Sequence, residues 1–389
     1  MFEIIDKQEP EANVQVDTII KVIGVGGAGG NAVDHMIREG VQGVEFIAAN
    51  TDAQALRNCR ATSKLALGTL GAGGKPEAGR AAAESHREEI RRHLEGARMV
   101  FITAGMGGGT GTGAAPIVAE VAREMGVLTV GVVSKPFRFE GGKRMKNADA
   151  GIVEFSQHVD SLIVILNDKL QEVMGEDAAV DECFRAADDV LKNAVGGISE
   201  IVTNHGMVNV DFEDVCTVMG ETGRAMMGSA TASGQDRARI AAEQAVASPL
   251  LESVNLAGAR GVLVNITATR ASLRMREVTE VMATIENFAA EDAHIIFGAV
   301  YDENMNDQLR VTVVATGLGP TQGPAQESVD RSGAFTVIRT GTHDQFGDSL
   351  DSELPAAVRR GGRRATIAAL ENSGIATHDI PSFLRKQAD

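Results

Sequence analysis

The sequence predicts an α/β fold made of a parallel-sheet domain, a long central helix and a smaller α+β domain. Three observations lead to this prediction. Short apolar runs alternate with helical segments over the first half of the chain. One long amphipathic pattern follows, and beyond it strand-like runs flank a single helix. Of the 389 residues 44 are glycine, and they cluster at places where the backbone must approach something closely.

The parallel-sheet domain is predicted over residues 19–177, after a flexible segment at residues 1–18. Its apolar runs are rich in β-branched residues, as expected for strands that helices cover on both faces. These runs are residues 18–25, 44–49, 99–103, 127–133 and 161–166. Helices are predicted from Asn31 onward, over residues 76–94 and over residues 114–125.

The central helix is predicted over residues 178–205, with a helical pattern from Ala178 to Thr203 and a stop at Asn204-His205-Gly206. At about 1.5 Å per residue it would extend roughly 35 to 40 Å, enough to join two domains. Its apolar stripe comprises Phe184, Leu191, Val195, Ile198 and Val202. A loop and a short helix are expected at residues 206–221.

The α+β domain is predicted over residues 222–318. Its strand-like runs are residues 261–267, 294–301 and 309–316, and its helix covers residues 273–289. Residues 319–378 are rich in small and polar types and poor in large apolar ones, so we expect a disordered linker. Residues 379–389 bring apolar anchors back beside charge, which is typical of a docking peptide, although a frayed terminus is an alternative.

Composition restricts the classes of partner and site that we expect for this protein. The 37 Lys and Arg against 53 Asp and Glu leave a formal charge of −16, which disfavours nucleic acid and anionic membranes as partners. Three scattered cysteines without C-x-x-C spacing predict neither disulfides nor a zinc site. The acidic N-terminus resembles no export signal, and the uncharged residues 99–119 are too rich in glycine for a membrane span. We therefore expect a cytoplasmic protein with no direct membrane insertion.

Two glycine clusters carry the chemistry. Residues 24–31 follow a strand, open a helix and contain G-x-G-x-x-G, as in Rossmann-like domains that hold phosphates on backbone N–H groups. An NAD-dependent oxidoreductase is therefore an alternative, although neither Glu45 nor Asp52 stands where its ribose-binding acid belongs. In the cluster at residues 105–113, the last seven residues have five glycines interleaved with two threonines, which suits a di- or triphosphate. No G-x4-G-K-[S/T] motif occurs, so a P-loop NTPase is excluded.

The run GGGTGTG at residues 107–113 resembles the signature loop of the tubulin/FtsZ superfamily. Residues 20–318 and the terminal peptide are similar to its bacterial cell-division branch. The resemblance implies a GTPase that binds GTP or GDP, with Mg²⁺ held through the nucleotide phosphates. It also implies a head-to-tail homopolymer that forms the division ring at mid-cell, tethered to membrane by partners that bind Asp379–Lys386.

The resemblance also assigns residues to the nucleotide site. Its phosphate loops match Gly26, Gly27, Ala28, Gly29, Gly30, Asn31, Gly107, Gly108, Gly109, Thr110, Gly111, Thr112 and Gly113. The γ-phosphate loop matches Gly71, Ala72 and Gly73, the short loop near the metal has Asn50 and Asp52, and the ribose side has Glu140 and Arg144. Asn167, Phe184 and Asp188 match the guanine readers, although Phe184 also fits the apolar stripe and Glu140 with Arg144 also fits a surface ion pair.

The candidate catalytic residues are Asn209, Asp211 and Asp214. By their spacing alone, the two aspartates fit an N-cap and a favourable charge on the first turn of a helix. The resemblance implies instead that this N-x-D-x-x-D loop projects from one subunit onto the nucleotide of the next. A scaffold that binds GTP without hydrolysing it is the remaining alternative, and no residue is assigned to direct metal binding.

Overall fold

The computed structural model describes residues 20–318, except residues 176, 204–209, 222, 249, 252–257 and 291–292. Several predictions therefore lie outside the described residues. These are the flexible segment 1–18, the helix stop at 204–206, Asn209, the linker 319–378 and the peptide 379–389.

In the described residues, ten strands form one sheet in the order β3-β2-β1-β4-β5-β6-β7-β10-β8-β9. The strands are β1 (Ile20–Val25), β2 (Val44–Asn50), β3 (Ser63–Ala66), β4 (Met99–Gly105), β5 (Leu128–Lys135), β6 (Ser161–Leu166), β7 (Gly223–Ser233), β8 (Gly261–Ala268), β9 (His294–Tyr301) and β10 (Gln308–Leu318). All neighbours from β3 to β7 pair in parallel, and so do β8 and β9, whereas β10 is antiparallel to β7 and β8.

Helices cover both faces of the parallel part of the sheet. They are α1 (Gly26–Arg38), α2 (Ala53–Asn58), α3 (Pro76–Glu84), α4 (Arg87–Leu94), α5 (Thr110–Glu124), α6 (Gly142–Phe155), α7 (Asn167–Met174), α8 (Val180–Thr203), α9 (Phe212–Met219), α10 (Arg237–Val246) and α11 (Met275–Glu286). One apolar core includes residues of α1, α8 and α9, a second includes residues of α3 to α6, and a third lies around α10 and α11. None of the described helices combines the length and apolarity needed to cross a bilayer.

The central helix α8 contacts strands of both sequence-predicted domains. Its buried residues include Leu191, Val195 and Ile198 of the predicted stripe. At its far end, the Asn265 side-chain amide of β8 donates to the Gly197 carbonyl at 3.1 Å. Arg310 of β10 pairs with Glu200 at 3.3 Å. These contacts fix α8 against the smaller part of the fold, so its opposite end can serve as a rigid wall for the larger part.

Two helices begin earlier than the sequence predicts. Helix α1 begins at Gly26 rather than Asn31, and α5 at Thr110 rather than Ala114. Glycine has a low helix propensity, so neither early turn was predicted. Close packing explains them, because a Cβ on Gly29 would overlap the Thr103 carbonyl oxygen of β4 and a Cβ on Gly113 would overlap the Pro76 carbonyl oxygen of α3.

Two further differences concern connections. The predicted helix at residues 76–94 is divided between α3 and α4, with the break at Ser85 and His86. The sheet also continues from β6 to β7 through pairs such as Ser161 with Gly223, which no sequence pattern indicated.

Candidate active site

Most of the predicted nucleotide residues follow the carboxyl ends of neighbouring parallel strands. Gly26 follows β1, Asn50 ends β2, Met106 follows β4 and Asn167 follows β6. The register brings these ends level, since Val25 lies opposite both Ala49 and Ala104. In open α/β sheets this edge is where ligands bind.

The two glycine clusters contact one another through backbone atoms. Gly26 has a φ of +79°, and a Cβ there would lie 2.9 Å from the Gly111 nitrogen. A Cβ on Gly109 would lie 2.7 Å from the Ala72 side chain, which brings the predicted γ-phosphate loop against the second cluster. Larger residues would therefore force these loops apart. The glycine clusters were therefore correctly interpreted from the sequence as sites of close backbone approach.

The threonines of the second cluster have different surroundings. The Thr110 hydroxyl lies 2.6 Å from the Thr51 hydroxyl, which links α5 to the segment after β2. Thr112 is buried, and its hydroxyl accepts a hydrogen bond of 2.8 Å from the Gly107 N–H. Thr112 thus shapes the loop from within.

Open space lies beside the same loops. A Cβ on Gly27, Gly30 or Gly108 would meet no atom within 4 Å. A cavity of about 200 Å³ adjoins this surface, between α1, β2 and α2. Its lining includes Gly26, Gly27, Gly30, Asn31 and Asn50. The arrangement leaves the amides of these glycine-rich turns room for a phosphate group.

Glu140 and Arg144, the predicted ribose residues, form the ion pair that was the alternative interpretation. Arg144 Nε lies 3.1 Å from Glu140 Oε2, and Glu140 Oε1 accepts from the Phe137 N–H at 2.9 Å. Both carboxylate oxygens of Glu140 are therefore engaged. The pair fixes the turn after β5 and leaves Arg144 half in solvent.

Asn167 begins α7 and is buried, and its Oδ1 atom has no hydrogen-bond partner among the described residues. Leaving a buried acceptor unpaired is costly, so this atom is available to a ligand that brings an N–H group. Sequence reasoning identified the residue but not this unpaired atom. Guanine carries N1–H and N2–H donors of the kind that this acceptor needs.

Phe184 does not pack in the buried stripe of α8, because it is 41% exposed. Its ring meets the edge of Phe137 at a centroid distance of 5.3 Å, and Phe139 stacks on Phe137 at 5.1 Å. The aromatic cluster of Phe137, Phe139 and Phe184 therefore joins the turn after β5 to α8. The predictions did not include Phe137 or Phe139, although both lie in the segment around Glu140.

Asp188 lies one turn along α8 from Phe184, half-buried and facing α1. Burial raises the pKa of its carboxyl from 3.8 to about 6, and the neighbouring Asp189 adds to the rise. The positive charges of His35 and Arg38 on α1 oppose it. Asp189 itself is bonded to His35, with 2.8 Å between Oδ1 and Nε2.

Asn50 and Asp52, predicted to lie near the metal, have structural partners. The Asp52 carboxylate caps α2 by accepting from the Gln54 N–H at 2.8 Å. Asn50 Oδ1 accepts from the Asp52 N–H at 3.1 Å. Over the described part of the chain, no group of three or more His, Cys, Asp or Glu side chains could hold a metal ion.

Asp211 and Asp214 lie elsewhere. Asp211 occupies the N-cap position of α9, but its side chain makes no capping hydrogen bond, and both carboxylates are exposed. Their turn contacts Arg98, which directly precedes β4, whereas the predicted phosphate loop at residues 107–113 follows the other end of β4. Seven residues of strand separate these ends by about 20 Å. One chain therefore does not bring the aspartates to the phosphate loops.

Comparisons with known proteins match this architecture. Residues 19–175 match the model for the Tubulin/FtsZ family, GTPase domain, and residues 223–319 match the model for the FtsZ family, C-terminal domain. The cell division protein FtsZ of Pseudomonas aeruginosa is 53% identical over 401 residues, with both chains covered completely. That of Coxiella burnetii is 56% identical over 378 residues, covering 94% of this chain and 96% of its own.

Solved structures show the same fold. An empty FtsZ dimer of M. jannaschii superposes with a TM-score of 0.74 at 44% identity, covering 77% of this chain and 88% of its own. CetZ2 of Haloferax volcanii, solved as a GTPγS-bound protofilament, superposes at 0.66 with 21% identity, covering 77% of this chain and 93% of its own. At that identity the second likeness concerns the fold alone.

Proposed function

The chain belongs to the FtsZ family, and from that premise we propose how this GTPase couples GTP hydrolysis to the polymerisation that serves cell division. Each active site takes its phosphate loops from one subunit and its acids from the next. The loops are those that begin α1 and α5, and the acids are Asp211 and Asp214, with Asn209 beside them. Hydrolysis then requires two subunits docked head to tail.

The position of the acids is the observation that carries this proposal. Asp211 and Asp214 lie near the amino end of β4, and the phosphate loops lie at its carboxyl end, about 20 Å away. Neither set can reach the other within one chain. When identical subunits stack head to tail, the end of one subunit that carries the acids meets the end of the next that carries the phosphate loops. Such a heterologous contact can repeat along a filament without closing. The geometry therefore supports an active site shared between neighbours.

The guanine base is assigned to Asn167, Phe184 and Asp188. The unpaired Oδ1 of Asn167 can accept from a base N–H, and the exposed ring of Phe184 can stack on the base. An ionised Asp188 can accept from guanine N1–H or N2–H, which adenine does not offer in the same pattern. These groups favour GTP over ATP. They also distinguish the site from a dinucleotide site, because NAD carries an adenine base.

We infer that Mg²⁺ is held through the phosphate oxygens of the nucleotide. Hard oxygen atoms are present beside the proposed phosphate site in Asn50 and Asp52. Such a donor set fits Mg²⁺, which usually keeps few protein ligands beside phosphate and water. When bound, Mg²⁺ neutralises charge on the phosphates. Asn50 and Asp52 are the residues that would lie beside it.

The two acids orient the attacking water molecule in the proposed reaction. Asp211 and Asp214 are exposed, and neither carboxylate has a partner among the described residues. Two carboxylates on one helical turn can accept hydrogen bonds from a water molecule and orient it for in-line attack on the γ-phosphate. The amides of the phosphate loops stabilise the charge that develops on the transferred group. Loss of the γ-phosphate would then weaken the contact between subunits.

Mixing two inactive variants tests the shared site. Asp211→Ala should keep GTP binding and lose turnover, and Gly108→Asp should lose GTP binding because its carboxylate faces the phosphates. At equal amounts, about a quarter of the random head-to-tail contacts join an intact pocket to intact acids, so turnover should recover in part. Phosphate release is the measurement. No recovery from two variants that still co-assemble would contradict the proposal.

Dilution gives a second test with the unmodified chain. If two subunits build each site, the specific rate of GTP hydrolysis rises steeply above a threshold protein concentration. A specific rate that stays constant down to concentrations at which only monomers sediment would overturn the shared site.

The partners and location follow from the family. We propose that residues 379–389 bind membrane-tethering and regulatory division proteins, with Asp379–Lys386 as the recognition peptide, and that the polymer forms at mid-cell in the cytoplasm. The apolar anchors Ile380, Phe383 and Leu384 beside basic residues support a short docking helix. Deletion of residues 379–389 should leave polymerisation intact and abolish partner binding, as judged by sedimentation and pull-down. Loss of polymerisation in that variant would contradict this division of roles.

A further inference from the structure

Arg98 contacts the turn that carries the two candidate acids. Its guanidinium lies 4.5 Å from the centre of the Phe212 ring, and its Nη2 atom lies 2.7 Å from Glu213 Oε1. Phe212 and Glu213 are the two residues between Asp211 and Asp214. One side chain thus holds both residues that separate the acids.

The backbone of Arg98 is itself fixed. Its carbonyl accepts a hydrogen bond of 3.1 Å from the Leu128 N–H, at the start of β5. Met99, the next residue, begins β4 and is buried. Arg98 is therefore anchored by its backbone on the amino edge of the parallel sheet. It links that edge to α9, whose residue Glu213 lies 115 positions along the chain from Arg98.

Besides Arg98, α9 contacts the core through Phe212, which is partly buried, and through residues further along the helix. Its buried residues are Val215, Val218 and Met219, and the Val218 carbonyl accepts from the Thr316 hydroxyl at 2.7 Å. The first turn lacks even a capping bond from Asp211. In the described residues, Arg98 is the side chain from another element that is bonded to this turn. Arg98 therefore supplies the polar contact that helps to set the direction of this turn.

We propose that Arg98 is a positioning residue for GTP hydrolysis. By holding Phe212 and Glu213, it sets the direction in which Asp211 and Asp214 face the nucleotide of the next subunit. This inference rests on the proposed function, since it assumes that these acids act in the neighbour's site. Small displacements of acids that orient water lower the rate strongly, even where the fold and the binding of substrate are unchanged.

Turnover of the full chain at saturating GTP, normalised to sedimented polymer, tests the proposal. Arg98→Ala should lower kcat about tenfold while the affinity of the monomer for GTP stays unchanged. Arg98→Lys keeps a charge that can reach Glu213 and should lose only about two- to threefold. Arg239→Ala is the matched control, because Arg239 is as exposed as Arg98 and pairs with Glu243 at 3.0 Å far from α9. It should leave kcat unchanged.

A double-variant comparison separates positioning from a general effect on stability. If Arg98 acts through Phe212 and Glu213, adding Arg98→Ala to a Phe212→Leu, Glu213→Gln chain should lower kcat little further. Full additivity would overturn the proposal, and so would wild-type kcat in Arg98→Ala. If turnover fell only in proportion to polymer, the role would be in docking and the proposal would fail. Failure of the proposed function is a separate outcome, in which Asp211→Ala and Asp214→Ala keep their turnover.

Discussion

The two ends of the parallel sheet are built in different ways. At the carboxyl end, the turns of Gly26, Gly109 and Gly111 lock together through backbone atoms that leave no room for a side chain. At the amino end, Asp211 and Asp214 are exposed on a turn that Arg98 contacts through Phe212 and Glu213. The carboxyl end, where the phosphate loops are proposed to lie, is therefore part of the packed fold itself. The amino end presents two exposed acids without a capping bond, so substitutions there should change turnover more than stability.

Two neighbouring glycines of α1 give the largest effect that this comparison predicts. A Cβ on Gly29 would overlap the Thr103 carbonyl oxygen, whereas a Cβ on Gly30 would meet nothing within 4 Å. Gly29→Ala should lower the free energy of unfolding by about 2 to 3 kcal/mol, because the crowded helix and strand must separate. Gly30→Ala should raise it by about 0.5 to 1 kcal/mol, since alanine favours helix.

Denaturant unfolding of the two variants, followed by GTP binding, is the measurement. Gly30→Ala is also expected to weaken GTP binding, because its methyl group enters the predicted phosphate site. Equal stabilities for the two variants would show that close backbone contact does not hold the carboxyl end of the sheet together.

Asn167 gives the next largest effect. It is buried at the carboxyl end with an unpaired Oδ1 atom, so Asn167→Ala removes a cost from the free protein. Its affinity for GDP should fall about thirtyfold, and its thermal stability without nucleotide should stay the same or rise. Calorimetric titration and thermal unfolding measure the two quantities. A fall in stability without a change in affinity would show that Asn167 serves the fold rather than the base.

Sequence patterns predict much of this molecule, and the failures have physical causes. The β-branched runs locate β1, β4, β5 and β6 because buried parallel strands leave a strong local pattern. The early start at Gly26 was missed because glycine disfavours helices, and only the contact with β4 compensates.

The candidate site divides in the same way. Glycines and acids were identified through motifs, whereas the orphaned atom of Asn167 and the contact between Arg98 and Glu213 arise from residues far apart in the chain. No periodicity records such contacts. The position of Phe184 was likewise ambiguous in the sequence, and its exposed ring against Phe137 became visible only once α8 was packed beside the turn after β5.

The pH dependence of nucleotide binding tests the proposed role of Asp188 at the carboxyl end of the sheet. Burial raises the pKa of Asp188 to about 6, so its carboxylate is ionised at pH 7 and largely protonated at pH 5. The ionised form accepts from guanine, and GDP affinity should therefore fall about tenfold from pH 7 to pH 5. Without nucleotide, the effect of pH on the free energy of unfolding has the opposite sign. The raised pKa stabilises the fold below pH 4, and this contribution is lost as the pH rises through about 6.

Asp188→Asn is the control for that prediction. It should bind GDP with little dependence on pH, because the titrating carboxyl is gone while His35, Arg38 and Asp189 remain. If the slope between pH 5 and pH 7 persisted in Asp188→Asn, Asp188 would not be its source. Titrations of both chains with GDP at matched ionic strength are the measurement.

Asp52 gives the smallest expected effect and tests whether the carboxyl end contains any side chain that serves both fold and metal. Its carboxylate caps α2 through the Gln54 N–H, and an asparagine can make the same bond without the charge. Asp52→Asn should therefore change stability by only a few tenths of a kcal/mol. If the lost charge lies near Mg²⁺, the Mg²⁺ concentration for half-maximal turnover should rise about two- to threefold. An unchanged Mg²⁺ requirement would leave Asp52 as a cap alone, and the metal would then depend on the nucleotide and not on this end of the sheet.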